Sequence, residues 1–186
     1  VVFRAGAEAD SLHLVEPGCF SVRRDSPGGH AALLSLVGTG GFFGELALLG
    51  PSERSATVAA VETSTTPAVS RVAFNELRDR RPSIDRALAA FLGAQVRHLL
   101  GQLVDAMYSP VETRICARLI EASEQWGPAV LPLTQQDVAE LAGTTRPTAN
   151  RVLHQLADEG LVVLHRSETV IADADADGMR RRERGW

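Results

Sequence analysis

The chain has 186 residues, 45% of them apolar and 23% charged, with a formal net charge of −4. That composition excludes a wholly disordered chain and leaves room for one large domain or two modest ones. Cys19 and Cys116 stand far apart and belong to no CxxC or Cys/His cluster, which argues against a zinc or iron–sulfur centre. No run approaches the roughly 20 apolar residues of a membrane span and no signal-peptide pattern opens the chain. A cytoplasmic protein without a membrane partner is expected.

The first 72 residues read as β-structure. Leu12–Val15, Ala31–Val37, Thr57–Val61 and Ala68–Val72 are short apolar pieces separated by Pro17-Gly18, Gly28-Gly29, Gly38 to Gly41 and Gly50-Pro51. Many short strands with glycine corners predict a jelly roll or small barrel, not alternating βαβ units. The chain opens at Val1, inside this first unit, so its N-terminus is expected to be incomplete. Phe74–Arg81 reads as a short helix or turn leaving the barrel.

A long helix follows over about Ser83–Met107. Leu88, Leu92, Val96, Leu99, Leu103 and Ala106 recur at three- and four-residue spacing, a seam of nearly heptad character. Nothing obvious in the chain covers so long a stripe, so the helix reads as a dimerisation element; packing on the barrel and the following domain is the alternative. Tyr108-Ser109-Pro110 stops it. Ser109 as N-cap, Pro110 at the first helical position and Glu112 three residues after the cap then start a helix to about Gln125, with Val111, Ile115, Leu119 and Ala122 on one face. The expected organisation is an effector domain over 1–82, a dimer helix over 83–108 and a second domain over 109–186.

The second domain carries TQQDVAELAGTTRPTANRVLHQLADEGLVVLH. Thr134 caps a helix with Asp137 at the capping-box position, Val138, Leu141 and Ala142 face the core, and Gly143 makes the turn. Thr145 caps a second helix with Ala149, Val152, Leu153 and Leu156 inward, and Arg146, Thr148, Asn150 and Arg151 outward. Two short helices joined by a glycine-containing turn form a helix-turn-helix, whose second helix enters the major groove. Val162–His165 and Thr169–Ala172, around Arg166 to Glu168, add a hairpin and make it a winged one. No carboxylate occurs from Leu141 to Ala157, so this face is locally positive within an acidic chain. Arg146 and Arg151 can each fork onto guanine O6 and N7 or hold a phosphate; Thr134 and Gln135 can anchor the backbone. The candidate DNA-binding residues are Thr134, Gln135, Thr145, Arg146, Thr148, Asn150 and Arg151.

GTGGFFGELALLGPSERSATV is the informative stretch of the first domain. Gly44-Glu45-Leu46 starts a short helix and Arg54-Ser55 follows one loop later. An acid that accepts from sugar hydroxyls, beside an arginine and serine that hold a phosphate, makes a compact nucleotide clamp. A Glu45–Arg54 surface ion pair among ordinary glycine turns fits the same residues.

Taken with these motifs, the whole chain resembles the cyclic AMP receptor and fumarate–nitrate regulator family of bacterial transcription factors. FRAGAEADSLHLVEPG is similar to the opening strands of the family's β-roll, and GFFGELALL with ERSATV to its phosphate-binding cassette. The resemblance implies an α+β chain: an N-terminal cyclic-nucleotide-binding β-roll of jelly-roll type, a dimer helix and a C-terminal winged helix-turn-helix. It implies that Gly44 and Glu45 hold a ribose and that Arg54 and Ser55 hold a cyclic phosphate, with Leu46 beside them and Gln102 placed for a base edge. Cyclic AMP is the first candidate effector. The implied partners are a second copy of the chain, double-stranded DNA with a near-palindromic operator, and RNA polymerase. Three departures stand out. Leu99-Leu100, or Gln102-Leu103, occupies the region where the cyclic AMP sensors carry a Thr-Ser pair; Pro147 replaces a base-reading glutamate; and the cysteines of the oxygen-sensing branch are not seen.

A regulator gated by a small ligand is therefore the expected function, with a family member binding DNA without a cyclic nucleotide as the alternative. An enzyme would need Glu45 with His13 or His30 as an acid–base pair, and nothing in the sequence orients a nucleophile there. No catalytic residue is assigned.

Overall fold

The computed structural model describes residues 1–26, 28, 31–50, 52–126, 131, 133–165 and 169–171. Ten strands precede, separate and follow five helices among these residues. The strands are β1 (Glu8–Ala9), β2 (Ser11–Leu14), β3 (Phe20–Asp25), β4 (Ala31–Val37), β5 (Phe42–Phe43), β6 (Ser52–Glu53), β7 (Thr57–Ala60), β8 (Ala68–Ser70), β9 (Val162–Leu164) and β10 (Thr169–Ile171). The helices are α1 (Arg71–Arg80), α2 (Ser83–Tyr108), α3 (Val111–Trp126), α4 (Gln135–Leu141) and α5 (Arg146–Asp158), with a single 3₁₀ turn at Glu45–Leu48.

Two three-stranded antiparallel sheets, ordered β5-β2-β8 and β4-β3-β7, build the N-terminal roll, and β1 pairs with β6 beside them. Val15, Phe20, Phe43 and Val58 fill its interior, with Val2, Phe3, Val22 and Val37 packed against them. The central strand β3 was not among the expected ones. Its sequence, Phe-Ser-Val-Arg-Arg-Asp, lacks an apolar run, and it is a strand because ladders on both sides pair it. Burial of Ser21 is met by its hydroxyl donating to the Ala59 carbonyl at 3.3 Å.

The last roll strand ends sooner than its apolar pattern suggests. Ser70 accepts from the Ala73 amide at 3.2 Å and caps α1, which therefore starts at Arg71 and not at Phe74. Phe74 joins Leu12 and Leu48 in a small cluster that receives Ile84 and Leu88 of α2. Phe91 packs its ring on Phe42, and the rest of α2 is largely exposed: none of its residues is buried, and Val96, Leu99, Leu100, Leu103 and Met107 are exposed. The expectation that no segment is long and apolar enough to span a membrane is corrected here, because α2 passes that test by length and composition.

The C-terminal domain packs Ile115, Leu119 and Ala122 of α3 against Val138, Ala149, Val152, Leu153 and Leu156. Leu133, Leu161 and Val162 complete this core. At its start the Ser109 hydroxyl donates to the Asp105 carboxylate at 3.2 Å, and the Pro110 carbonyl accepts from the Arg114 amide. β9 and β10 pair in antiparallel register. The hairpin tip Arg166 to Glu168 lies outside the described residues, as do Gly29, His30, Pro51, Gly127, Pro128 and Ala172. The same apolar cluster takes in Cys19, Leu33 and Leu36 of the roll, so the two domains share a packed seam. Burial there pushes the Cys19 thiol up to about 12, which keeps it protonated.

Candidate effector pocket and nucleic-acid interface

Gly44 begins the 3₁₀ turn with φ +79°, a conformation that side-chain-bearing residues rarely adopt. A Cβ there would lie 2.6 Å from Arg54 Nη1 and 3.1 Å from the Ser11 carbonyl oxygen. Glycine is required twice over. Arg54, in the β6–β7 connection, is buried, its side chain only 4% exposed. Nη1 donates to the Ser11 carbonyl at 2.7 Å, Nη2 donates to Ser11 Oγ at 3.0 Å, and the guanidinium sits 3.9 Å from the centre of the Phe3 ring. The surface ion pair with Glu45 is not what forms. Arg54 pairs with Asp10 at 3.5 Å instead, and Asp10 in turn accepts from the Ser11 hydroxyl at 2.8 Å.

This surround fits an anion. Nε of Arg54 is buried and has no hydrogen-bond partner among the described residues, although an arginine carries five donors. Burial lowers the Arg54 pKa while Asp10 opposes the shift, and the group stays cationic. Asp10 is lowered by the Ser11 hydrogen bond. His13 stacks on Phe43 with ring centres 5.2 Å apart and its Nε2 lies 3.4 Å from Ser11 Oγ. Burial, then the Arg54 charge, hold it below the ordinary histidine value. Glu45 is half-buried, while Leu46 and Ser55 are exposed. Phe3, Asp10, Ser11 and His13 are not among the nucleotide-binding residues expected from sequence; the pairing of β1 with β6, the backbone bond from Arg54 to Ala7 and the bridge of Phe3 to Val58 bring the opening segment to Arg54.

Gln102 lies elsewhere. It lines a cleft of about 190 Å³ with Leu34 of β4, Arg114 and Arg118 of α3, and the end of α4, where none of Gly44, Glu45, Leu46, Arg54 and Ser55 takes part. Its amide nitrogen is 2.7 Å from His98 Nε2, one turn back on α2. Arg114 bridges Ser109 and Ala142 carbonyls, and the buried Arg118 pairs with Asp105 and Glu121. These arginines hold the junction between α2 and the second domain.

At the other end, Thr134 accepts from the Asp137 amide at 3.2 Å and Asp137 accepts from the Thr134 amide at 2.8 Å, a complete capping box. Gly143 takes φ +60° in the turn, and Thr145 accepts from the Thr148 amide to cap α5, with Pro147 in its first turn. Ala149, Val152, Leu153 and Leu156 are buried; Arg146 and Arg151 are exposed on the outer face. Asn150 is half-buried and donates to the Gln135 side-chain carbonyl at 2.6 Å, tying the start of α4 to α5. Two exposed guanidinium groups on a helix free of carboxylates until Asp158 suit a phosphate-lined groove.

Residues 1–81 match the model of the cyclic nucleotide-binding domain, and residues 113–180 that of the Crp-like helix-turn-helix domain. The chain is 34% identical over 163 residues to the cyclic AMP receptor protein of Thermus thermophilus, covering 88% of this chain and 76% of that protein. It is 26% identical over 188 residues to a CRP-like cAMP-activated global transcriptional regulator of Mycobacterium tuberculosis, covering 97% and 84%. Its fold superposes on the crystal structure of a CRP-family transcriptional regulator from Thermus thermophilus with a TM-score of 0.79, at 21% identity over 98% of this chain and 92% of that one.

Proposed function

The chain belongs to the cyclic AMP receptor and fumarate–nitrate regulator family of transcription regulators, and from that premise we propose that a cyclic nucleotide, cyclic AMP first, binds at Arg54 and sets its affinity for DNA. The buried guanidinium of Arg54, with Nε to spare and Nη1 against Gly44, is the observation that carries the reading. A cyclic phosphodiester bears one negative charge, which Arg54 and Ser55 hold; Glu45 accepts from the ribose hydroxyl. With Leu99 and Leu100 on α2, the base meets apolar side chains where the cyclic AMP sensors offer hydroxyls, and discrimination between adenine and guanine is correspondingly weak.

The exposed stripe of α2 pairs with a second copy of the chain, and the dimer presents two copies of α5 to a near-palindromic operator with half-sites about 34 Å apart. Arg146 reads a base; Arg151 reads a base or holds a phosphate; Thr134, Gln135, Thr145, Thr148 and Asn150 support the contact at the backbone and the helix ends. The protein acts in the cytoplasm and meets RNA polymerase at the promoter. The domain limits that accompany this reading are 1–82 for effector binding, 83–108 for dimerisation and 109–186 for DNA.

Calorimetric titration with cyclic AMP and cyclic GMP, with and without a duplex selected by the chain from a random pool, tests this directly. Saturable binding that tightens in the presence of duplex is expected for an activating effector, since coupling between two sites is reciprocal. No binding of either nucleotide leaves the alternative, a regulator that binds DNA without one. Leu99→Asp should give monomers in sedimentation; an unchanged dimer refutes the seam.

A further inference from the structure

β3 and β4 slip register between Val22 and Arg23, and such an irregularity re-aims the side chain that follows it. Arg23 leaves the roll there and reaches α4 of the reader. One of its terminal nitrogens donates to Asp137 Oδ1 and the other to Glu140 Oε2. These two carboxylates are three residues apart, hence on one face of α4, and the fork of a planar guanidinium offers each its own nitrogen, where an ammonium has only one nitrogen to share. The side chains of Asp137 and Glu140 are 15% and 8% exposed and that of Arg23 33%, so the bridge is partly shielded from solvent.

Asp137 uses its second oxygen for the Thr134 amide and hydroxyl, and the neighbouring Gln135 accepts from Asn150 of α5. Hydrogen bonds therefore run from a roll strand to Thr134 at the start of α4, and from the next residue in the chain, Gln135, on to the recognition helix. The seating is close on either side of it. Leu33 and Leu36 of β4 share a core with Val138 and Ala139, and a Cβ on Gly38 would lie 2.2 Å from the Gln125 carbonyl oxygen of α3. Arg146 and Arg151 remain exposed in this arrangement, so the contact supports the reading face without covering it.

We propose that Arg23, a residue of the effector domain, is a positioning residue for DNA reading that braces α4 along its length through Asp137 and Glu140. Arg23 acts through the helix and not on the nucleic acid. This rests on the DNA-reading role proposed above, and the experiment separates the two. The affinity of the full chain for its selected duplex is measured for Arg23→Ala, Arg23→Lys, Glu140→Ala and the Arg23→Ala/Glu140→Ala double variant at several salt concentrations. Arg23→Ala should weaken binding about fivefold and Glu140→Ala by less, since Arg23 also bonds Asp137, and the double variant should be no worse than Arg23→Ala alone. Arg23→Lys should recover part of the loss. The salt dependence should stay as in the unaltered chain; a slope lower by about one would make Arg23 a phosphate contact and overturn the proposal. Unchanged affinity, or losses that multiply in the double variant, also overturn it. Should Arg23→Ala fail to fold, Arg23→Lys and Glu140→Ala decide on the same criteria. An unaltered chain that binds no duplex removes the DNA-reading role and this proposal together.

Discussion

The two functional regions of this regulator are built in opposite ways. In the reader, Arg146 and Arg151, proposed for DNA contact, stand on the outer face of one helix while buried aliphatic residues on its inner face hold it in place. In the proposed effector pocket the side chain proposed to hold the ligand is itself part of the packing: Arg54 is 6% exposed and held by Ser11, 43 positions earlier, with Phe3 beneath it and Gly44 against it. Function and fold are separable in the first region and entangled in the second. The reader can exchange its outward residues, and with them its operator, at little cost in stability, whereas a change at Arg54 disturbs four segments at once.

The largest expected effect comes from attacking the inner face of the reader. Leu153 is fully buried, and Leu153→Ala should cost about 2–5 kcal/mol in urea-induced unfolding of the full chain. A loss below about 1 kcal/mol would mean that the site collapses readily and that the inner face does not anchor the helix.

Arg146→Ala probes the outer face of the same helix. It should remove about 1–3 kcal/mol of discrimination at one base pair per half-site and leave the melting temperature unchanged. A uniform loss across all single-base operator variants, with a shallower salt dependence, would reassign Arg146 to a phosphate.

Arg54→Ala should show the opposite character. Cyclic nucleotide affinity should fall more than about tenfold, which corresponds to at least about 1.4 kcal/mol, and the melting temperature should fall with it. A variant that lost affinity and kept full stability would break the contrast, since the pocket would then be as separable from the fold as the reading face.

The smallest effect belongs to His13. Its folded-state pKa lies below the unfolded value of 6.5, so the unfolded chain binds more protons in the window beneath 6.5. Stability is therefore full above that value and falls as the pH drops through it. His13→Phe, which keeps a ring to stack on Phe43, should reduce the loss of urea midpoint between pH 7 and pH 5. An identical loss in both proteins would place the acid sensitivity on other groups.

Much of the reader was legible in the sequence because its determinants are local. The Thr134 and Thr145 caps, Gly143 in the left-handed region, and the three- and four-residue spacing of Ala149, Val152, Leu153 and Leu156 each act within a few residues, and each is present as expected. Gly44 and Arg54 stand out in the sequence as candidates by their place in a recognisable motif, and the apolar stripe of α2 is read from its period. Tertiary structure decided what depends on pairing between distant segments. It made a central strand of Phe20–Asp25, whose polar residues hide its type; it replaced an imagined Glu45–Arg54 pair by Asp10 and Ser11; and it set Gln102 in the α2–α3–α4 cleft. It also joined Arg23 to Asp137 across 114 positions of chain. Caps and periodicity write themselves within a turn or two of helix. A sheet ladder or a guanidinium bridge is settled only when the chain has closed the long loops between its partners, and the cost of that closure is met by the burial of the whole core and not by the residues that happen to touch.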